Sequence, residues 1–377
     1  MLWVIYLLPI TTVVVLMYLN SPLEWWWFLL LGALCDVVLY GCCRFFKWYH
    51  NKSQEFRGSY ATSTYYYEAW NELRSRQVPV KDNKGNTVGY RTEYYVVYHP
   101  AEWWVHYNTG ESEAIGSQYY EYLGRLWGTP EQFHDMHRHY HTIDGDAYSY
   151  EWDGMEATCD TRTTSHSYVN PLKHSNSIFR YKEVSEDEAF DLDLFDYPPI
   201  EADDQNAVLG RGVSNEVQKK FRFINAFYGQ RHEIKVFVLL FDAAKHKPDV
   251  AVMQRAYWHG CAKNEFVVSL GIKDGTTVEW CEPFSWMDKP TLGAAAKDYF
   301  LKHTNLNLYA FGCWLEENLS LWERKEFSDF EYLGLPLSKT QYALLLTLSI
   351  ALSYLIYYIL LVNNYIEPIV LQSSQTG

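Results

Sequence analysis

The sequence predicts an α+β protein. Three transmembrane helices, an N-terminal hairpin and a C-terminal helix, hold a cytoplasmic α+β region made of an antiparallel aromatic-rich sheet and a β-α-β-β-α unit. Three observations carry this expectation. Apolar runs open the chain twice and close it once; residues 59–108 alternate with the period of a strand; residues 214–303 change repeatedly between helical periodicity and short buried-strand runs. At 377 residues the chain also exceeds what one hydrophobic core usually covers.

Residues 2–19, LWVIYLLPITTVVVLMYL, carry no charge, and about 18 residues at ~1.5 Å each cross most of a ~30 Å hydrocarbon layer. The chain opens without Lys or Arg and passes directly into NSPLEWWW, so this run reads as a membrane helix rather than a cleaved signal peptide. Asn20, Ser21 and Pro22 form a turn, and residues 25–46 return through the bilayer. The indoles of Trp25, Trp26 and Trp27 suit one interface, and Arg44, Lys47 and Trp48 suit the other. Residues 342–362 form the third span.

Arg44, Lys47, Lys52 and Arg57 flank the second helix and Lys339 precedes the third, whereas the first turn and the tail after Val362 carry no basic residue. The positive-inside rule then places the bulk of the chain in the cytoplasm and the C-terminal tail on the outer side. The formal charge of −14 resides almost wholly in that region, which excludes a nucleic-acid partner for want of a basic stripe. Partners are instead the lipid bilayer and a protein, either another chain or a homo-oligomer. Seven cysteines without CxxC pairs read as reduced thiols. Cys42 and Cys43 at the inner face are open to acylation.

The expected organisation is a hairpin over 1–46, an antiparallel-sheet domain over 47–182, an acidic connector over 183–212, a β-α-β-β-α domain with a helical connector over 213–338, and the last helix with its tail over 339–377. In the first domain, YATSTYYYEAW, RQVPVKD, NTVGYRTEYYVVYH and EWWVHYN read as about four strands, with Asn83, Lys84 and Gly85 turning a hairpin. The many tyrosines fit a sheet with one packed and one wet face. SEAIGSQYYEYLGRLW has helical spacing and stops at Gly128, Pro130 starts a further short helix, and DAYSYEWDG and EATCDTRTTSHSYV are strands.

From Glu183 to Asp204 ten acidic residues stand without a basic one, which predicts a solvated connector whose Phe190, Phe195 and Tyr197 could anchor it across a neighbouring surface. It lacks the ligand spacing of a calcium loop. Then come a helix capped by Ser214, strand HEIKVFVLLF, helix PDVAVMQRAYWHG, strand EFVVSLGI, a type I′ turn at Asp274-Gly275, strand TVEWCEPFSW and helix TLGAAAKDYFLKH. VFVLL and FVVSL imply strands covered on both faces.

One stretch invites a metal. FHDMHRHYHTIDGD places His134, His137, His139 and His141 close together and ends on Asp144 and Asp146. A strand would align His137, His139 and His141, and a helix His134, His137 and His141; with an aspartate either set could close a zinc site. The run matches no zinc motif of known mechanism, and a polar surface segment also explains it. Asp36 falls mid-way along the second span, where an aspartate costs about 2.5–3.5 kcal/mol, and so marks either a polar helix contact, with Thr11 or Thr12 or another copy of the second span as partner, or a proton or ion relay. His259 and Cys261 in HGCAK lack an orienting third residue, and GRGVS, residues 210–214, lacks a preceding strand for a phosphate loop. No nucleophile, phosphate loop or dinucleotide fingerprint argues for catalysis. The expected function is therefore a membrane-anchored scaffold, sensor or partner-binding protein. The alternatives are a metal-dependent hydrolase using the cluster from His134 to Asp146 and an oligomeric channel or transporter accessory built around Asp36.

Overall fold

The computed structural model describes residues 2–18, 25–133, 146–175, 181–199 and 206–362. In chain order the elements are α1 (Leu2–Tyr18), α2 (Trp25–His50), β1 (Lys52–Tyr67), β2 (Trp70–Lys81), β3 (Thr87–His99), β4 (Glu102–Tyr107), β5 (Ser112–Ala114), α3 (Ser117–Trp127), β6 (Glu131–Phe133), β7 (Ala147–Glu151) and β8 (Thr161–Val169). They continue as α4 (Glu186–Asp191), β9 (Val208–Leu209), α5 (Asn215–Phe227), α6 (Gly229–His232), β10 (Lys235–Asp242), α7 (Val250–Tyr257), β11 (Glu265–Lys273), β12 (Thr277–Ser285), α8 (Thr291–Lys302), α9 (Leu308–Asn318) and α10 (Lys339–Val362). The fold is mixed α+β. The chain divides into two compact units, one of residues 1–54, 167–181 and 327–377, the other of residues 55–166 and 182–326.

The first unit is built on α1, α2 and α10. Among the described residues one helix, Lys339–Val362, is long and apolar enough to cross a membrane; Val4–Val15 is a shorter apolar helical run. Ile5 and Val13 of α1, Cys35, Leu39 and Cys43 of α2, and Leu345, Ser349, Ser353, Ile356 and Leu360 of α10 are buried. Pro9 sits inside α1 and has no N–H to give the carbonyl of Ile5 four residues back. Ser349 of α10 fills that place, its Oγ donating to Ile5 O at 2.6 Å. The feet of α2 and α10 are joined by Asn51, whose Nδ2 donates to Lys47 O (2.8 Å) and Pro336 O (3.0 Å), and by Gln341, whose Nε2 donates to Phe46 O (3.2 Å).

The second unit holds two sheets and a ribbon. The first sheet runs β5-β4-β1-β7-β6, with β8 also on β1. Its alternation buries Ala61, Val105 and Tyr107 under Leu123 of α3. The period-two runs foresee these strands, but not their partition. Among the described residues β2 and β3 pair only with each other and leave the sheet as a two-stranded ribbon, turned by the Asp82 carboxylate, which accepts from Lys84 N and Asn86 N (both 2.8 Å). Of the short helix expected from Pro130, residues Glu131–Phe133 are instead strand β6, which takes the edge of β7, and the rest lies outside the described residues.

The second sheet has the order β12-β11-β10-β9, with β9, β10 and β11 parallel and β12 antiparallel. Val236 and Val238 of β10 point into a core with Phe221 and Ile224 of α5, Phe300 of α8 and Phe311 of α9. The alternate residues Phe237 and Phe241 meet Trp258, Tyr197 and Phe195 on the opposite side. Covering both faces is what the continuous apolar run demands. Asp274 and Gly275, at φ 53° and 72°, make the expected turn between β11 and β12. Ser214 caps α5, its Oγ accepting from Val217 N at 3.3 Å.

The acidic stretch is not free in solvent over its described part. Ser185 caps α4, and residues 193–197 then lie as a strap over the second sheet. The carbonyl of Phe195 accepts from Gln254 Nε2 (3.0 Å) and Trp258 Nε1 (2.7 Å), its N–H donates to Gln254 Oε1 (2.8 Å), and Asp193 accepts from His246 Nε2 at 2.9 Å. Phe195 and Tyr197 outweigh charge repulsion because they meet rings on β10 and after α7, whereas Phe190, 85% exposed, does not anchor the strip as its sequence position suggested.

Candidate functional site

The densest set of buried ionisable groups in the second unit gathers where β10 and β11 begin. Lys235 and Glu265 are the first residues of these parallel strands and register partners, so both side chains project to the strap side. Lys235 is 2% and Glu265 0% exposed. The ammonium lies 5.2 Å from the ring centre of Phe56 and 5.4 Å from that of Phe237. Glu265 accepts a hydrogen bond from the Tyr197 hydroxyl on one oxygen and from the Ala262 N–H, at 2.9 Å, on the other. Tyr197 is itself held edge-on by Trp258, 5.1 Å between ring centres.

A turn of unusual backbone positions the Ala262 donor. His259, Gly260 and Cys261 have φ of 50°, 86° and 61°, left-handed values that cost roughly 1–2 kcal/mol per non-glycine residue. Asn264 follows, donating from Nδ2 to Phe56 O at 2.7 Å and accepting Lys235 N–H on its backbone carbonyl at 2.7 Å. Beside them Glu55, 1% exposed, is hydrogen-bonded by Arg57 and lies 3.4 Å from Lys263 Nζ.

Burial governs the charge states. It holds the Lys235 ammonium down to about 7 against the opposing pull of Glu265, and it raises the Glu265 carboxyl against the hydrogen bonds from Tyr197 and Ala262. Burial also pushes the Cys261 thiol well up, which removes HGCAK as a thiolate nucleophile. The same cause lifts Cys159 and Cys281 to about 12.

A lysine titrating near 7 has the chemistry of a base or an amine nucleophile. Three observations argue that this pair instead fixes structure. The adjoining cavity, bordered by Gly58, Asn225, Lys235 and Phe237 among others, has room for about one water, at ≈ 10 Å³. The pair is roofed by Tyr197 and the strap. It also sits at the N-terminal ends of the parallel strands, whereas crevices of open α/β sheets lie at their carboxyl ends. Lys235 and Glu265 therefore join β1, the strap and the second sheet in one polar junction. A similar role falls to Lys220 of α5, 3% exposed, whose Nζ is 2.8 Å from both Glu156 and Glu316. Those two carboxylates outweigh burial and raise its pKa.

The residues singled out in the sequence fare differently. His134, His137, His139, His141 and Asp144 lie outside the described residues. Asp146 is described: its N–H donates to Glu68 Oε2 at 3.3 Å and its carbonyl accepts Glu68 N–H at 3.0 Å, which ends β7 against β1. Among the described residues no group of three His, Cys, Asp or Glu side chains could hold a metal. Asp36 is half-buried on α2 with Oδ1 lacking a hydrogen-bond partner. Thr11 and Thr12 do not serve it, since both hydroxyls donate to Leu8 O at 2.9 Å within their own helix. Strand β9 does precede the GRGVS stretch, contrary to the reading from sequence; it is two residues long and leaves no alternating pattern. The first turn of α5 nonetheless opposes an anion, with Glu216 there and Ser214 already taking an amide.

Sequence reasoning missed Lys235 and Glu265. Each is a charged residue heading an otherwise apolar strand, KVFVLLFD and EFVVSLGIK, and that is the signal that could have found them. No protein-family model matches the chain, and no curated protein or solved structure matches it significantly.

Proposed function

We propose that the chain is a membrane-anchored, partner-binding protein in which α1, α2 and α10 all insert in the bilayer. The observation that carries this reading is the hydrogen bond from Ser349 to the Ile5 carbonyl that Pro9 leaves without its helical donor. In water such a carbonyl is satisfied by solvent; in hydrocarbon it must find a donor within the protein. The distribution of side chains agrees. Cysteines and serines line the inside of the bundle, while Val4, Val14, Leu34, Val37, Leu344, Ile350 and Leu355 face out. Cys35, Cys43, Ser349 and Ser353 share the interior with Ile5, Val13, Leu39, Leu345, Ile356 and Leu360, and an outer face that is itself aliphatic is what lipid requires.

The helices of 17, 26 and 24 residues are about 26, 39 and 36 Å long at 1.5 Å per residue, comparable to a ~30 Å hydrocarbon layer once tilt is allowed. The proposed orientation keeps the second unit in the cytoplasm, where its sheets and strap provide a rigid partner-binding body.

The test is alkaline extraction of membranes carrying the full chain and a Leu346→Arg/Ile350→Arg variant that disables α10 as a span. Three inserted helices keep both proteins in the pellet. Release of the variant to the supernatant would reduce the anchor to one helix. A cysteine placed at the exposed Val252 should react with an impermeant maleimide only after permeabilisation; labelling in intact cells would reverse the orientation.

A further inference from the structure

We infer that the uncharged face of the β2–β3 ribbon is a self-association surface, and that its occupant is the same face of a second copy of this chain. The inference rests on the partner-binding reading above and names the partner. The ribbon runs in register from Trp70 opposite His99 to Lys81 opposite Thr87 and, among the described residues, pairs with neither sheet. An isolated two-stranded ribbon is marginal in water and normally needs a third layer against one face.

Register sorts its side chains cleanly, since paired residues share a face. One face carries Glu72, Arg74, Arg76, Arg91 and Glu93, tied by Arg76 to Glu93 at 2.7 Å, Arg74 to Glu72 at 2.8 Å and His99 to Glu72 at 2.8 Å. Four of those five charges, all but Arg91, are thus paired within the face. The other carries Tyr90, Thr92, Tyr94, Val96 and Tyr98 of β3 opposite Pro79, Gln77, Ser75, Leu73 and Asn71 of β2, without a charge. Tyr90, Tyr94, Tyr98 and Val96 are 70, 67, 64 and 62% exposed.

Charge selects the occupant. In a chain of net −14, two copies approaching through most surfaces meet like charge. A two-fold contact sets a patch against itself, so an uncharged patch is the kind that avoids this cost. Area agrees. Aromatic side chains offer about 150–250 Å² each, so three tyrosines at these exposures supply roughly 400 Å² per copy, and Leu73 and Val96 bring a pair to the ~1,000 Å² at which specific association begins. Shape agrees as well. Tyrosines four residues apart, about 13 Å along β3, alternate with the smaller Thr92 and Val96, and one copy's rings can enter the other's gaps. Edge-to-edge pairing is the poorer route, because Pro79 and the bulge at Val80/Lys81 interrupt the β2 edge.

The test is the protein mass of the full-length chain in detergent micelles, by light scattering corrected for detergent, with Tyr94→Lys and Tyr94→Glu alone and mixed. Amide exchange across β2 and β3 accompanies each measurement to show that the ribbon stays formed. The expected result is about twice 44.4 kDa for the wild type. Each single variant should fall to one chain with the ribbon still protected, and the Lys and Glu variants together should return to two. Arg91→Gln on the charged face should leave the pair intact. A monomeric wild type overturns the inference, as does a Tyr94→Lys protein that remains paired. So does a monomer whose ribbon tyrosines are quenched by phosphatidylcholine vesicles, which would assign the face to lipid. Membrane extraction is scored independently, so failure to pair and failure to anchor are distinguishable.

Discussion

Replacing Lys235 by Met should change how the stability of the second unit depends on pH, and the direction follows from the burial of the ammonium. Lys235 titrates at about 7 when folded against 10.5 unfolded. Below 7 both states hold the proton, and the cost of a desolvated ammonium is fully present. Between about 7 and 10.5 the unfolded chain binds the proton that the folded chain has released, so unfolding takes up a proton and stability rises with pH. The limiting slope is ~1.4 kcal/mol per pH unit, which amounts to about 2 kcal/mol gained between pH 7 and 8.5. Glu265 acts with the opposite sign. Its folded value is raised above 4.5, so the folded state keeps a proton that the unfolded state loses, and stability falls as pH rises from 4.5 toward that value. The two groups thus bend the stability curve in opposite directions. Lys235→Met keeps the length of the side chain but has no proton to lose, so the rise above 7 should vanish. The assay is urea unfolding of the full chain in detergent at several pH values from 6 to 8.5, followed by tryptophan fluorescence, with Trp258 beside Tyr197 as a local reporter. The difference between wild type and variant cancels titrating groups remote from Lys235, whereas Glu265, which loses its opposing charge in the variant, is raised further. At an m-value of 1–3 kcal/mol/M, 2 kcal/mol moves the midpoint by about 1 M relative to the variant. Parallel midpoints for the two proteins from pH 7 to 8.5 would refute the reasoning.

Tyr197→Phe removes the hydroxyl that donates to the buried Glu265 and should cost about 1–3 kcal/mol, read as a lower urea midpoint without a change in m-value. Gly58→Ala is expected to lower it further. A Cβ there would stand 2.1 Å from the Asn225 carbonyl oxygen, so β1 and α5 must separate; an unchanged midpoint would contradict that approach. Ser349→Ala leaves the Ile5 carbonyl without a donor and should loosen α1 from α10 by about 0.6–2 kcal/mol, measurable as faster amide exchange in α1 within nanodiscs. Lys220→Met strips Glu156 and Glu316 of their shared ammonium and should destabilise the second unit by about 1–3 kcal/mol, less than for a fully buried pair because Glu156 is a third exposed; Lys220→Arg should recover part of it.

Local patterns made much of the fold legible. Ser214 announces the cap of α5, Asp274-Gly275 the turn into β12, and VFVLL the strand covered on both sides, because each of these is decided within a few residues of chain. The acidic strip was harder. Its charge count argues for solvation, and only the spacing of Phe195 and Tyr197 against Phe241 and Phe237 makes it a strap. The imidazoles of the histidine-rich stretch lie outside the described residues. Lys235 and Glu265, which look like ordinary strand-edge charges in the sequence, supply the chemistry of the candidate site.

By itself the sequence determined the α+β class, the apolar runs at both ends, and most strand and helix identities, since hydrophobic period and turn chemistry act over short distances. Only the tertiary structure decided that β2 and β3 leave the first sheet, that Ser349 meets the carbonyl freed by Pro9, and that a lysine and a glutamate become buried neighbours. These depend on which residues distant in the chain come together. A proton's affinity or an open face then follows from the desolvation and covering that those neighbours impose.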